Sequence, residues 1–335
     1  MMHTQLDSLF EAINGANRVL ILPHNDPDPD AIASAVALRY LLAEKWGIEG
    51  YIAYRGIIGR AENKALVRYL GHPLHWLTGS DLRQSVPIAL VDTQPGAGNN
   101  ALPPESPVAI ALDHHPWRES TAVARFADVR PELGATSTIL TGYLQAADLD
   151  LPPSLATALF YGIKTDTMGL GRGATSDDIA AYFYLQPGID IEALVQIERA
   201  QVPVEYFEKL ATTLQAAQIY DNVIISYVDS MNRPDLAAEM ADLLLRLEGI
   251  EWVICMGTYE DNLILAVRTR SRWGGAETLA QGIVGDRGSA GGHGAMAGGQ
   301  VPLEQDPPEA LAQQLGKRTL QYLKIAPQTM GKPLF

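Results

Sequence analysis

The sequence predicts an α/β protein with a mainly parallel sheet in its first half and a smaller α/β domain in its second. Short apolar runs typical of buried strands alternate in the first half with segments of helical periodicity. A connector around Val202 and Pro203 precedes a second alternating pattern. A chain of 335 residues exceeds what one hydrophobic core usually supports, so we expect two domains.

Each predicted strand of the first half ends in polar or chemically active residues. Strands are expected at 18–24, 48–55, 87–92 and 108–113, and helices at 30–46, 62–70 and 137–147. Such alternation is typical of a parallel sheet covered by helices. Because the carboxyl ends of parallel strands share one edge of the sheet, we expect ligands there.

The second half is predicted to form a separate, smaller domain. We place the first domain at 1–192, a helical linker at 193–218 and the second domain at 219–328, with a cleft between the domains. The expected helices are 191–200, 205–220, 235–247, 277–283 and 308–322, and the expected strands are 223–228, 252–258 and 263–269.

The charge and residue composition indicate which partners and which compartment to expect. Lys and Arg number 25 against 39 Asp and Glu, a net charge of −14 that is unsuited to gripping long duplex DNA. The apolar runs are too short to cross a bilayer, and no export signal is visible. The only cysteine, Cys255, fits a reducing compartment, so we expect a cytoplasmic protein.

An acidic turn follows the first predicted strand, where residues 24–30 read His-Asn-Asp-Pro-Asp-Pro-Asp. His24, Asp28 and Asp30 offer one nitrogen and two carboxylates, a mixture suited to Mn²⁺ and similar ions. The alternative is an acidic turn that only caps the next helix. Asp26 is a weaker candidate ligand.

Three more acid or histidine sites follow apolar elements. Asp92 ends one strand, the triplet Asp113, His114 and His115 ends another, and Asp166 ends an apolar helical stretch. Carboxylates gathered at one cleft need a compensating cation. The alternative is a set of ordinary loop acids scattered around the rim.

Taken in order, these motifs resemble those of the DHH phosphoesterase family. The matching features are the opening His-x-x-x-Asp-x-Asp-Ala, the isolated Asp92, the Asp113-His114-His115 triplet and Asp166. A later glycine-rich segment resembles the signature of the DHHA1 domain found in the stand-alone, RecJ-related oligoribonucleases called nanoRNases. The resemblance covers nearly the whole chain.

The resemblance implies a centre of two divalent ions, with manganese expected and magnesium or cobalt as alternatives. It places His24 and Asp28 on one ion, and Asp30, His114 and Asp166 on the other, with Asp92 bridging them. It also implies that His115 faces the substrate phosphate and that Asp113 orients a neighbouring histidine.

The same resemblance implies that the second domain holds the end of the substrate that lies away from the metals. Gly291, Gly292 and His293 lie within the segment 288–299, which contains six glycines, and glycines let backbone N–H groups approach an anion. Arg268, Arg270 and Arg272 would lie on one face if their strand continues. The alternative is a flexible loop. Here Ala290 replaces a glycine of the commoner Gly-Gly-Gly-His pattern.

The leading functional hypothesis is a hydrolase of short oligonucleotides, linear dinucleotides such as pApA, or 3′-phosphoadenosine 5′-phosphate. Alternatives within enzymes are a single-strand exonuclease of RecJ type and an exopolyphosphatase or pyrophosphatase. A different class is a nucleotide-binding regulator that keeps the fold without turnover. A homodimer is compatible with the sequence, whereas duplex DNA and membranes are not expected partners.

Overall fold

The computed structural model describes residues 2–103, 105–271, 273–304 and 306–335, without the side chain of His293. The chain divides into two compact units, Met1–Ala200 and Gln201–Phe335. Both units combine helices with a sheet, which confirms the predicted α/β class. Among the described helices, none combines the length and apolar character needed to span a bilayer.

The first unit is built on six strands that all run parallel, in the order β3-β2-β1-β4-β5-β6. Its elements in chain order are α1 Met2–Ala12, β1 Arg18–Pro23, α2 Pro29–Trp46, β2 Glu49–Tyr54, α3 Ala61–Tyr69, β3 Leu74–Trp76, α4 Gly79–Leu82, β4 Ile88–Val91, β5 Ile110–Asp113, β6 Phe126–Val129, α5 Thr136–Ala146, α6 Pro153–Asp166, α7 Ser176–Leu185 and α8 Ile191–Glu198. The predicted parallel sheet is therefore confirmed.

Apart from Arg18 and Asp113 at their ends, the central strands β1, β4 and β5 are apolar, because both faces of the sheet are covered. On one face, α2 packs against the sheet and lies beside α5 and α6. Asp28 caps the start of α2, where its Oδ1 accepts the Ala31 N–H at 3.1 Å. The helix ends at Gly47, which adopts a left-handed conformation with φ of 67°. These features aim the start of α2 at the carboxyl edge of the sheet.

Two short strands extend the sheet beyond the four that the sequence predicts. β3 and β6 contain three and four residues, and they occupy the two ends of the strand order. Strands this short carry too few residues to show an alternating pattern. Their place in the sheet depends on pairing with β2 and β5.

The second unit contains a seven-stranded sheet in the order β11-β12-β10-β9-β8-β7-β13. β8 and β9 pair in parallel, and the other neighbours pair antiparallel. Its elements are α9 Val204–Ala216, β7 Gln218–Tyr220, β8 Val223–Ser230, α10 Leu236–Leu244, β9 Trp252–Tyr259, β10 Asn262–Thr269, α11 Ala276–Val284, β11 Ser289–His293, β12 Met296–Pro302, α12 Pro308–Tyr322 and β13 Lys332–Pro333.

The predicted helix 205–220 is wrong at its carboxyl end. α9 stops at Ala216, and Gln218–Tyr220 instead forms β7, which pairs with β8. The turn between the two strands is made by Asp221, at φ of 54°, and Asn222, residue types that favour tight hairpins. The tertiary pairing of β7 thus overrides a helical periodicity that continues past the end of the helix.

Candidate metal centre

The sheet brings the predicted site residues of the first unit to its carboxyl edge. His24 follows β1, Asp92 follows β4, and Asp113 is the last residue of β5, so three adjacent strands end in these groups. The start of α2 supplies Asp28 and Asp30 to the same place. The acid and histidine sites therefore form one cluster, not a scattered rim.

The first group within the cluster joins His24, Asp28 and Asp92. His24 Nε2 lies 3.7 Å from Asp28 Oδ1 and 3.4 Å from Asp92 Oδ2. The other ring nitrogen, Nδ1, donates to the Asn25 carbonyl oxygen at 2.7 Å, so in the neutral ring Nε2 carries the lone pair that can bind a cation. One ligand atom from each residue lies within 4.8 Å of the others.

The second group joins Asp30, His114 and Asp166, again with ligand atoms within 4.8 Å of one another. His114 Nδ1 bonds the Leu133 carbonyl oxygen at 3.2 Å, which makes Nδ1 the donor. Nε2 of the same ring is buried and makes no hydrogen bond to any described residue. It lies 3.4 Å from Asp166 Oδ2 and 3.6 Å from Asp92 Oδ1. A buried lone pair facing carboxylates at this spacing fits a divalent cation between them.

Asp92 stands between the two groups. Its side chain contacts His24 on one side and His114 on the other, and the residue is only 1% exposed. The backbone adopts a left-handed conformation, with φ of 59°, which aspartate tolerates better than most residues. Thr136 Oγ1 donates to Asp92 Oδ1 at 2.7 Å and fixes the carboxylate.

Asp30 is fully buried, and its carboxylate is hydrogen-bonded by the first residues of α5. The backbone N–H groups of Thr136 and Ser137 donate to its two oxygens at 2.7 and 2.8 Å. Free N–H groups at a helix start favour a negative charge, so the first turn of α5 offsets part of the cost of burying Asp30.

The charges in the cluster are poorly compensated by protein groups alone. Burial opposes charge on His24 and His114, but the nearby carboxylates outweigh it and raise the pKa of both rings well above the usual value. Burial, with Asp92 and Asp166 close by, raises the pKa of Asp30, and burial raises the pKa of Asp166 to about 6. Carboxylates held against each other in this way call for a cation.

His115 and Asp113 form a separate contact beside the cluster. His115 Nδ1 donates to Asp113 Oδ1 at 2.8 Å, and the same oxygen accepts the His114 N–H at 2.9 Å. Asp113 is buried, whereas the His115 side chain is 33% exposed. Asp92, His114 and His115 also place ligand atoms within 4.8 Å of one another, so His115 lies at the margin of the cluster.

Gln94 is a site residue that no sequence motif marks. Its Nε2 donates to Asp113 Oδ2 at 2.7 Å and to the Pro116 carbonyl oxygen at 3.0 Å. Its Oε1 accepts the Arg118 N–H at 3.0 Å. The sequence shows only that Gln94 follows Asp92 by two residues. No periodicity connects its side-chain amide to a histidine about twenty residues later.

Asn99 and Asn100 lie in the loop after β4 and connect it to neighbouring segments. Asn100 Nδ2 donates to the Gln94 carbonyl oxygen at 2.9 Å, and the Asn99 carbonyl oxygen accepts the Asn25 N–H at 2.6 Å. The loop after β4 is thereby tied to the His24 turn. Asp26, the weaker candidate ligand of the same turn, accepts the Ile57 N–H with Oδ1 at 2.5 Å and belongs to none of the three ligand groups found among the described residues.

In the second unit, the two described arginines of the predicted set have different surroundings. Arg268 is 8% exposed; its Nε donates to Asp242 Oδ1 at 2.5 Å and its guanidinium bonds the Ala297 carbonyl oxygen at 3.4 Å. Arg270 is exposed and follows the end of β10, so the strand does not continue through the predicted alternation. Arg272 lies outside the described residues.

The glycine-rich segment is a β-hairpin at one end of the sheet, not a flexible loop. β11 and β12 pair antiparallel, with Gly292 opposite Ala297. A Cβ on Gly292 would overlap the Met296 carbonyl oxygen, so this glycine is required by the pairing. A Cβ on Gly291 would meet nothing within 4 Å, which leaves open space beside its backbone. The His293 side chain lies outside the described part of the chain.

The chain thus has an α/β fold, with histidines and carboxylates clustered at the carboxyl edge of a parallel sheet. These features place it in the class of α/β proteins with a metal-binding cluster at that edge. Residues 18–163 match the family model described as "DHH family, N-terminal domain", and this chain carries a domain of the DHH family. The match includes His24, Asp28, Asp30, Asp92 and the Asp113–His115 triplet.

Relatives extend the match along the chain. An uncharacterized protein of Methanocaldococcus jannaschii is 39% identical over 288 residues, which cover 85% of this chain and 58% of that protein. The chain thus matches little more than half the length of that relative. A probable manganese-dependent inorganic pyrophosphatase of Streptococcus pyogenes serotype M5 is 23% identical over 221 residues, which cover 61% of this chain and 71% of that protein.

Solved structures share the fold. An exopolyphosphatase-related protein from Bacteroides fragilis superposes with a TM-score of 0.72 at 14% identity, covering 95% of this chain and 96% of that one. RecJ from Thermus thermophilus, in complex with Mn²⁺, has a TM-score of 0.57 at 15% identity, covering 98% of this chain and 55% of that one.

Proposed function

We propose that this chain is a phosphoester hydrolase that works with two divalent ions, manganese foremost. The observation that carries this proposal is the pair of ligand groups on either side of Asp92. Their members are those that the family resemblance assigned to the two ions. The manganese-dependent pyrophosphatase relative and the Mn²⁺-bound RecJ structure support the choice of metal.

Six residues would hold the ions. His24 and Asp28 would bind one, Asp30, His114 and Asp166 the other, and Asp92 both. The buried Nε2 of His114, which makes no hydrogen bond to a described residue, supports this assignment most directly. Divalent ions bound there would supply Lewis-acid stabilisation of the negative charge that develops on phosphate oxygens.

His115 is proposed to contact the substrate phosphate. Its bond from Nδ1 to Asp113 fixes the ring orientation, and Asp113 favours the charged imidazolium, which can donate to a phosphate oxygen. Burial works against the charge on His115, but Asp113 and Asp92 raise its pKa above the usual value. Partial exposure gives the ring access to a substrate.

The proposed substrates are short oligonucleotides, linear dinucleotides of the pApA type, or 3′-phosphoadenosine 5′-phosphate. The net charge of −14 disfavours long duplexes, and a short substrate needs only local cations. In the second unit, Arg270 and the open backbone at Gly291 are the described groups best suited to hold a distal phosphate. The sequence of this hairpin resembles the signature of a DHHA1 domain, whose role is to hold the distal end of the substrate. We assign His293 to the same role.

Two other activities have specific support. The pyrophosphatase relative and the exopolyphosphatase-related structure favour cleavage of inorganic phosphate chains, and the RecJ structure favours single-strand exonuclease activity. A regulator without turnover is the alternative outside enzymes. The presence of every expected ligand residue in one cluster favours catalysis over that alternative.

A Mn²⁺ activity screen tests the proposal. The metal-loaded protein is assayed with pApA, short single-stranded RNA, 3′-phosphoadenosine 5′-phosphate and pyrophosphate, with the Asp92→Asn variant as the inactive control. Preferred cleavage of a nucleotide substrate by the wild-type protein alone is expected. Preferred cleavage of pyrophosphate would replace the nucleotide assignment, and no hydrolysis of any compound, with nucleotide binding intact, would favour the regulator.

A further inference from the structure

Arg55 and Trp76 lie at the same edge of the first sheet as the candidate metal centre. Arg55 directly follows β2, and Trp76 is the last residue of β3. β2 pairs in parallel with β1, which ends just before His24, and β3 pairs in parallel with β2. Adjacent strands are about 4.8 Å apart, so β2 and β3 end about 5 and 10 Å from the end of β1. A nucleotide attached to a phosphate at the metal centre could span that distance.

The segment after β2 is joined directly to the metal-binding turn. The Asp26 N–H donates to the Arg55 carbonyl oxygen at 2.9 Å, and the Ile57 N–H donates to Asp26 Oδ1 at 2.5 Å. Gly56 lies between them at φ of 81°, and a Cβ there would overlap the Asp26 carboxylate. Arg55 therefore has a backbone position set by the same turn that carries His24 and Asp28.

The two side chains form an exposed pair. The Arg55 guanidinium lies 5.5 Å from the centroid of the Trp76 ring, and the Tyr54 ring meets Trp76 edge-on at 5.7 Å. Trp76 remains 53% exposed despite these contacts. Within the described residues no carboxylate pairs with Arg55, although acidic residues outnumber basic ones in this chain. An exposed tryptophan beside a cation without an acidic partner suits a ligand that carries both a ring and a negative charge.

We propose that Arg55 and Trp76 form a nucleotide subsite beside the metal centre. A nucleobase stacks on the Trp76 ring, and the Arg55 guanidinium donates to a phosphate oxygen of the same nucleotide. This inference rests on the proposed function, because the nucleotide held here belongs to the substrate that the centre cleaves. It also narrows the substrate class, since inorganic phosphate chains offer nothing for Trp76 to stack on.

Equilibrium binding to the Mn²⁺-loaded protein tests the subsite. The probes are AMP and ribose 5-phosphate, which share the phosphorylated sugar and differ in the base. Trp76→Leu is expected to weaken AMP binding about tenfold and to leave ribose 5-phosphate binding unchanged, because only AMP carries a base that stacks on the indole ring. Arg55→Gln is expected to weaken both probes, because both carry the phosphate.

Matched controls use exposed residues of the same unit away from this sheet edge, Phe183→Leu on α7 and Arg68→Gln on α3. They should bind both probes as the wild type does, and Trp76→Leu should melt as the wild type does. Absence of AMP binding by the wild type, or equal losses of both probes in Trp76→Leu, would overturn the subsite. Failure of the wild type to hydrolyse any phosphate compound would instead refute the proposed function, while the contrast between AMP and ribose 5-phosphate still reports on the subsite.

Discussion

Gln94 donates from Nε2 to Asp113 Oδ2 at 2.7 Å, and the other oxygen of Asp113 accepts the Nδ1 hydrogen of His115 at 2.8 Å. Asp113 and Gln94 are both buried, so Asp113 Oδ2 depends on the Gln94 amide for a hydrogen bond that water cannot supply. A glutamine on the β4 loop thereby controls the orientation of a histidine that follows β5.

We predict that Gln94→Met lowers turnover while most of the metal stays bound. The variant leaves Asp113 Oδ2 buried without its donor, a loss of about 1–3 kcal/mol, and frees the His115 loop to shift. Steady-state kinetics and metal analysis measure the two effects. Gln84→Met, at an exposed position, is the control. Metal loss as large as that of His114→Ala would contradict this role.

Asp92→Asn should abolish hydrolysis and the binding of at least one ion, as should Asp92→Ala. Asparagine tolerates the left-handed conformation that Asp92 adopts, so the Asn variant should retain the fold. Calorimetric titration with Mn²⁺ and thermal melting of the metal-free protein check these expectations. Near-normal metal binding in a folded Asp92→Asn protein would refute the bridging assignment.

The neighbouring histidines should separate binding from turnover. His114→Ala should lose metal, because it removes the buried Nε2 that faces Asp92 and Asp166. His115→Ala should keep most of the metal and turn over slowly, because its ring is bonded to Asp113. Metal content and single-turnover rates distinguish the two variants. Equal metal loss in both would show that the two roles are wrongly divided.

Asp178 should affect metal affinity without being a ligand. Its Oδ2 accepts the Gly134 N–H at 2.9 Å and its Oδ1 accepts from Thr138 Oγ1 at 2.6 Å, which holds the loop whose Leu133 carbonyl orients His114. Asp178→Asn should reduce stability by about 1–3 kcal/mol and weaken Mn²⁺ binding.

Denaturation of the metal-free protein and Mn²⁺ titration measure these two effects separately. The adjacent, exposed Asp177 provides the matched control Asp177→Asn, which should alter neither quantity. Unchanged Mn²⁺ affinity in a destabilised Asp178→Asn protein would show that Asp178 only supports the fold.

The glycine hairpin offers a test of substrate binding by the second unit. Gly292→Ala should destabilise the hairpin, because its Cβ would overlap the Met296 carbonyl oxygen. Gly291→Ala should fold normally but obstruct an anion that approaches the backbone. We therefore expect Gly291→Ala to slow cleavage of a dinucleotide and to leave cleavage of bis-p-nitrophenyl phosphate unchanged. Equal rates for wild type and Gly291→Ala on both substrates would argue against anion binding there.

The sequence by itself was sufficient to predict the α/β class and to place the acidic cluster at one edge of the sheet. The segments 19–23, 88–91 and 110–112 of β1, β4 and β5 are continuous apolar runs, and His24, Asp92 and Asp113 directly follow them. In a parallel sheet those ends share one edge, so convergence of the side chains follows from local pattern alone.

Tertiary structure alone decided which groups support that cluster and which elements complete the sheets. Gln94 and Asp178 reach Asp113 and Gly134 across 19 and 44 residues of chain, and no periodicity encodes such pairs. β3, β6 and the glycine hairpin have little strand character of their own. They form strands because neighbouring strands offer unpaired N–H and C=O groups, which must find partners once they are removed from water.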